Sequence, residues 1–252
     1  MDQKILNEIK RIEVTENVKI LYAVESGSRA WGFPSPDSDY DVRFIYVRPQ
    51  AWYLSIQPGR DVIEYPISDL LDISGWDLKK SLQLLRKSNP SLLEWLHSPI
   101  VYYSDGKLVE DLKDLVTQFF SQKALLYHYL NMAKSNFRSH LQGDDVKIKK
   151  YFYVLRPLLA CLWLRDKQEI PPILFDDLLT LGEIPDEVFQ EIQVLLAKKE
   201  ISHELALEPQ IPCLNSFIEG QLTEIKNYIA TLPADSPLSY PVLNEIFNDY
   251  LF

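Results

Sequence analysis

The sequence predicts an α+β architecture: a mixed strand-and-helix domain over residues 1–104, then an α-helical domain over residues 105–252. Three observations predict it. Short apolar runs rich in β-branched and aromatic residues recur in the first part of the chain, each bounded by turn-forming residues. From about residue 107 onward the apolar spacing becomes that of helices almost throughout. Finally, the first two runs, VKILYAV and VRFIYV, are separated by ESGSRAWGFPSPDSDYD, whose glycines, serines, prolines and aspartates interrupt regular structure.

Taken in order, Asp2 caps a short helix over residues 2–11. Residues 18–24 form a buried strand by their β-branched and aromatic content. Residues 41–47 alternate, with Val42, Phe44 and Tyr46 on one face and Asp41, Arg43 and Ile45 on the other. Residues 60–67 and 70–73 read as two further short strands. Residues 78–86 read as a helix, because Leu78, Leu82 and Leu85 share one face. Asn89-Pro90 ends it, and another short helix starts at Ser91. Long helices over 123–141 and 145–165 are joined by Gln142-Gly143-Asp144, and Pro171-Pro172 closes the second. Later helices cover 186–199, 215–231 and 241–250, with no internal repeat and no low-complexity linker.

The chain has 252 residues, 46% of them hydrophobic, enough for one large domain or two small ones sharing a groove. Lys plus Arg is 26 against 36 Asp plus Glu, a net charge of −10, which argues against a protein that coats long duplex DNA. A nucleic-acid partner must meet a local basic patch or be small. The cysteines, Cys161 and Cys213, could form at most one bridge, and Cys161 in LLACLWL reads as a small hydrophobe. Met1-Asp2-Gln3-Lys4 leads into an amphipathic segment, and the longest apolar run, residues 158–164, is too short to span a bilayer. The expectation is a reduced, cytoplasmic protein with no membrane partner.

Asp39 and Asp41 lie two apart at the start of a strand, so their side chains project from one face. Adjacent carboxylates repel, and a cation between them relieves that repulsion; hard oxygen ligands beside substrate phosphates suit Mg²⁺. Gly27-Ser28 follows a strand and can open a helix, where a glycine lets backbone N–H groups approach a phosphate and the serine adds a donor. The bland alternative is a hairpin loop with two solvated aspartates, since Ser35-Pro36-Asp37-Ser38 is ordinary turn chemistry.

Gly-Ser followed after a turn by Asp-x-Asp, here Ser26-Gly27-Ser28-Arg29-Ala30-Trp31-Gly32 and then Ser38-Asp39-Tyr40-Asp41, resembles the nucleotidyltransferase signature of the DNA polymerase-β superfamily. The chain is most similar to the bacterial and phage group of nucleotidyltransferases associated with RNA repair. The words Gly75-Trp76-Asp77-Leu78-Lys79-Lys80, Lys87-Ser88-Asn89-Pro90 and Glu94-Trp95-Leu96-His97-Ser98-Pro99-Ile100 strengthen the match. The resemblance implies a polymerase-β-like nucleotidyltransferase domain, a mixed sheet with flanking helices, followed by an α-helical substrate-binding domain. It implies transfer of a nucleoside monophosphate from an NTP such as ATP to an acceptor hydroxyl, an RNA end, with release of pyrophosphate. It also implies two Mg²⁺ or Mn²⁺ ions held by Asp39, Asp41 and a third carboxylate. For the third, Asp72 in Leu71-Asp72-Ile73 is favoured; Asp77, whose place just ahead of Leu78 suits a helix cap better than a ligand, and Asp61 are the other contenders. Gly27 and Ser28 are then assigned to the β/γ phosphates, and Arg29 to a further charge-assisted contact.

In the helical part, Lys149, Tyr153 and Arg156 fall at i, i+4 and i+7 on one face, and Tyr127, Asn131, Lys134 and Arg138 make a similar stripe on the preceding helix. These stripes offer cations for a triphosphate and a ring for stacking a base. A solvated face is the alternative. Pro157 should kink its helix, which would turn Arg156 toward the cleft. The segment Lys150-Tyr151-Phe152-Tyr153-Val154-Leu155-Arg156-Pro157 is similar to one in the helical half of the resembling group, which adds Lys149, Tyr153 and Arg156 to the nucleotide-binding candidates. Two other functions compete: nucleotidylation of a protein or small molecule, which suits the acidic charge better than RNA does, and a non-catalytic nucleotide-binding partner module.

Overall fold

A computed structural model describes residues 1–57, 59–182, 184–201, 207–233 and 238–252. In chain order the elements are α1 (Asp2–Glu16), β1 (Lys19–Ser26), α2 (Gly27–Ala30), β2 (Tyr40–Val47), α3 (Gln50–Tyr53), β3 (Val62–Glu64), β4 (Leu71–Asp77), α4 (Leu78–Arg86), α5 (Pro90–Leu96) and β5 (Val101–Ser104). There follow α6 (Lys107–Phe119), α7 (Gln122–His140), β6 (Asp145–Lys147), α8 (Ile148–Lys167), α9 (Phe175–Leu178), α10 (Asp186–Ile201), β7 (Leu207–Pro209), α11 (Pro212–Thr231) and α12 (Tyr240–Asp249). Among the described residues no helix is long and apolar enough to cross a membrane. Cys161 is buried and neither cysteine is bridged.

The chain divides into two compact units, and the first comprises Met1–Gly27, Asp39–Ser121 and Ser236–Phe252. Its five-stranded sheet has the order β3-β4-β2-β1-β5, with β2 and β4 parallel and the other pairs antiparallel. Alternation along β2 sends Val42, Phe44 and Tyr46 to a core that α1 closes with Ile5, Ile9 and Ile12. That apolar stripe carries α1 to Glu16, beyond the expected end at residue 11, and Asn17 in the left-handed region stops it. Asp2 lies in the first turn, and no side chain caps the helix. The opposite face of β2 carries Asp41 and Arg43, and that of β4 carries Asp72, Ser74 and Trp76. Toward the far ends of these strands, Trp76 stacks on Trp95 of α5 at 3.9 Å between ring centroids.

β4 runs on to Asp77, longer than the expected 70–73, because every residue from Leu71 to Asp77 has a partner on β2. A Cβ at Gly75 would overlap the Phe44 ring, so this glycine lets the two strands lie close. The tight reversal before β4 places Asp69 and Leu70 at φ 48° and 63°, closed by mutual backbone hydrogen bonds between Ser68 and Leu71. Asp77 ends the strand and caps α4: its carboxylate accepts from the Lys79 N–H at 2.8 Å.

The second unit comprises Ser28–Ser38 and Gln122–Asp235. The long helices α7 and α8 pack along one another with α11 against both. α8 begins at Ile148 and not at 145, because residues 145–147 pair with β7 as a strand. It continues through Pro157 to Lys167. The short segment Ser28–Ser38 joins this unit through its aromatic residues. Phe33 is 4% exposed, with ring centroids 4.8 Å from Phe152 and 5.2 Å from Phe175, and the Phe175 N–H donates to the Trp31 carbonyl at 2.9 Å. Burying a ring of this size stabilises by roughly 1.5–3 kcal/mol, so this segment is anchored rather than a free turn.

Candidate active site

The site begins from register. β2 and β4 are parallel and in step, with Asp41 directly opposite Asp72, and both project from the face away from the α1 core. Between them lies the Arg43 guanidinium, whose Nη2 is 2.9 Å from Asp41 Oδ1 and 2.7 Å from Asp72 Oδ2. Its Nη1 donates to the Asp72 carbonyl at 3.0 Å, which fixes the fork in place. Asp39 stands just ahead of β2, and its charge bears on Asp41. Burial pushes the Asp41 carboxyl above its ordinary range; Arg43 opposes this, and the charges of Asp72 and Asp39 add to the rise.

The backbone around Asp41 is held from β1. Glu25 is fully buried, and its Oε1 accepts from the Asp41 N–H at 2.7 Å. Its other oxygen accepts from the Tyr102 hydroxyl. The Ser98 hydroxyl donates to the Glu25 carbonyl at 2.6 Å, tying β1 to the residues ahead of β5. Two residues on, Gly27 adopts φ +62° and lies so close to Asp41 that a Cβ there would overlap the carboxylate, 2.9 Å from its Cγ. A glycine is needed here for both conformation and space.

Of the other expected site residues, Ser28 donates to the Ser38 hydroxyl at 3.2 Å, and Arg29 Nη2 to the Ser38 carbonyl at 2.8 Å. The two ends of the segment are thereby pinned to each other. Arg156 is 3% exposed, its guanidinium 4.5 Å over the Trp31 ring and 3.5 Å from the Ile173 carbonyl. Tyr153 meets the same Trp31 edge-on at 6.4 Å, and Lys150 lies 4.8 Å over the Tyr153 ring. Lys149, half-buried, sits one turn before Tyr153 on α8. Thus Tyr153 and Arg156 support Trp31, and the α7 stripe lies elsewhere in this unit: Lys134 and Arg138 line a groove with α11. Of the alternative carboxylates, Asp61 is exposed and pairs with Lys80 at 3.2 Å. Asp77 is buried as the α4 cap and accepts from the Tyr53 hydroxyl at 2.7 Å.

The motif pattern gives no role to two residues of this arrangement, Glu25 and Arg43. Both left a signal. Arg43 continues the alternation of Asp39 and Asp41, which places it on their face. Glu25 is a carboxylate ending an apolar run, where an acidic side chain needs a partner.

A family profile described as the RNA repair pathway DNA polymerase beta family matches residues 1–249. The chain is 52% identical over 246 residues to "Uncharacterized protein YcgL" of Bacillus subtilis (strain 168), covering 98% of this chain and 95% of that protein. It is similar in fold to the spectinomycin adenyltransferase AAD(9) from Enterococcus faecialis, solved with ATP and spectinomycin. That likeness has a TM-score of 0.50 at 14% identity over 89% of this chain and 98% of the other. With nearly its whole length matched, the chain belongs to the RNA repair pathway DNA polymerase beta family (RlaP) and is a nucleotidyltransferase of the polymerase-β-like fold.

Proposed function

We propose that the chain transfers a nucleoside monophosphate from an NTP to a hydroxyl at an RNA end, with Asp39, Asp41 and Asp72 as its catalytic carboxylates. The observation that carries this reading is the register pairing of Asp41 with Asp72 on parallel strands beside Asp39. The donor set fits a divalent cation: hard carboxylate oxygens, mutually repelling enough to help raise the Asp41 carboxyl. Among the described residues no three acidic, His or Cys side chains are gathered around one point, and Arg43 supplies the positive charge between two of them. When bound, Mg²⁺ or Mn²⁺ held by these aspartates supplies charge stabilisation for the attacking and leaving oxygens.

The chain's own groups do the positioning. Arg43 sets the spacing of Asp41 and Asp72, and Glu25 fixes the backbone from which Asp41 projects. Gly27 and Ser28 hold the β/γ phosphates through backbone N–H groups and a hydroxyl, and Arg29 adds charge. Lys149, Tyr153 and Arg156 contribute nucleotide binding, the latter two through Trp31. A different acceptor, protein or small molecule, is favoured by the net charge of −10.

The test is transfer from each α-labelled ribonucleotide, with Mg²⁺ or Mn²⁺, to RNA ends and to nuclease-treated lysate. Asp72→Ala is expected to lower kcat by about 100-fold or more. Asp77→Ala keeps kcat near wild type and lowers stability by about 1 kcal/mol through loss of the cap. Label appearing only in nuclease-resistant product assigns a non-RNA acceptor. Transfer that survives Asp72→Ala and fails with Asp77→Ala reverses the assignment of the third carboxylate.

A further inference from the structure

One groove in the helical unit is absorbed by none of these roles. It lies between α7 and α11 and encloses about 550 Å³. Lys134 and Arg138 come from one wall and Lys226 from the other, over a floor that includes Leu130, Phe137 and Leu222. Lys134 and Arg138 are one turn apart on α7, so they are neighbours along the same wall of the groove. Among the described residues none of the three makes a salt bridge, and Glu219 is the single acidic side chain in the lining. This is a net positive strip in a chain of net charge −10. Tyr127, 48% exposed, lies two turns before Lys134 on the same face of α7 and offers a ring for a base.

We propose that this groove binds the phosphodiester backbone of a single-stranded RNA acceptor, with Lys134, Arg138 and Lys226 each taking a phosphate. The proposal rests on the reading of the acceptor as RNA. Three cations contributed by two walls of an open groove of about 550 Å³, larger than one phosphate fills, suit a polyanion that neutralises them together. The apolar floor and Tyr127 suit unstacked bases, which duplexes hide. The acidic remainder of the surface repels long duplexes and leaves this strip as the local attraction.

The experiment is fluorescence anisotropy of a labelled single-stranded RNA 12-mer titrated with the full chain, in EDTA and without NTP, over a range of KCl. Lys134→Glu/Arg138→Glu/Lys226→Glu is compared with Lys10→Glu/Lys19→Glu/Lys87→Glu, an equal charge change at exposed positions of the other unit. The groove variant is expected to bind at least about 10-fold more weakly, with the salt slope reduced by about 2, as three lost contacts to a single strand require. The control keeps its slope and loses much less affinity. If the groove variant melts early, Lys134→Gln/Arg138→Gln/Lys226→Gln is read by the same slope. Equal loss in both sets, no binding by wild type, or displacement by poly-glutamate as readily as by RNA overturns the proposal; the last would assign the groove to an acidic protein. The assay contains no nucleotide, so its outcome is separate from that of transfer. RNA binding through the groove without labelling sinks the transfer reading alone, and equal labelling by both variants sinks the groove alone.

Discussion

Asp41→Asn is expected to lower kcat/KM for nucleotidyl transfer by about 10³-fold while the metal-free chain melts at the same temperature as wild type or higher. The activity loss follows from position: Asp41 lies opposite Asp72, beside Asp39 and against Gly27, so its carboxylate joins the acidic pair to the glycine turn. The stability result follows from the raised carboxyl. A group whose pKa is raised on folding stabilises fully below its unfolded value and loses that contribution as pH rises through the folded value. The wild-type aspartate therefore loses stability as pH rises, chiefly because burial disfavours its charged form, and the uncharged asparagine does not. Arg43 keeps its 2.7 Å contact with Asp72 in the variant, so no cation is stranded. Melts in EDTA between pH 3 and 8 check this. The two chains should converge below the ordinary carboxyl value of 3.8. A large loss of stability at pH 7 would mean that Asp41 is a structural anchor.

Gly27→Ala carries the second large effect. An alanine at φ +62° costs about 1–2 kcal/mol, and its Cβ must displace the Asp41 carboxylate. A displacement of that order lowers kcat/KM by about 10²-fold. Gly106→Ala is the control: Gly106 also has positive φ, at 84°, but nothing lies within 4 Å of a Cβ there. It should show the backbone penalty alone in thermal melts and keep wild-type transfer. Equal activity of the two variants would show that the close approach to Asp41 has no catalytic consequence.

Much of the first unit's secondary structure is legible because local rules agree. α4 spans the residues its leucine spacing predicts, and Asp77 caps it. β2 shows the alternation that separates its core face from its acidic face. What local rules cannot supply is pairing. β5 is a four-residue edge strand, and β6 finds its partner β7 some sixty residues later. Both depend on contacts remote in sequence, which weigh more than propensity in short strands. The segment Ser28–Ser38 illustrates the same limit. Its serines and prolines announce a turn, but Trp31 and Phe33 bury it against α8 and α9, an outcome visible only once Phe152 and Phe175 are in place. In the candidate site, the pattern around Asp72 marks a strand carboxylate. Its position directly beside Asp41 comes from a parallel register that the intervening thirty residues do not encode locally. Arg43 was hidden for a simpler reason: a cation in an acidic motif reads as a surface residue until its two partners are known.

The most direct test of the central claim is Mn²⁺ binding followed by electron paramagnetic resonance, in the presence of a non-hydrolysable ATP analogue. The account predicts that wild type and Asp77→Ala bind Mn²⁺ alike, and that Asp41→Asn and Asp72→Ala each weaken binding by about 10-fold or more. Mn²⁺ bound equally well by all four proteins would contradict it.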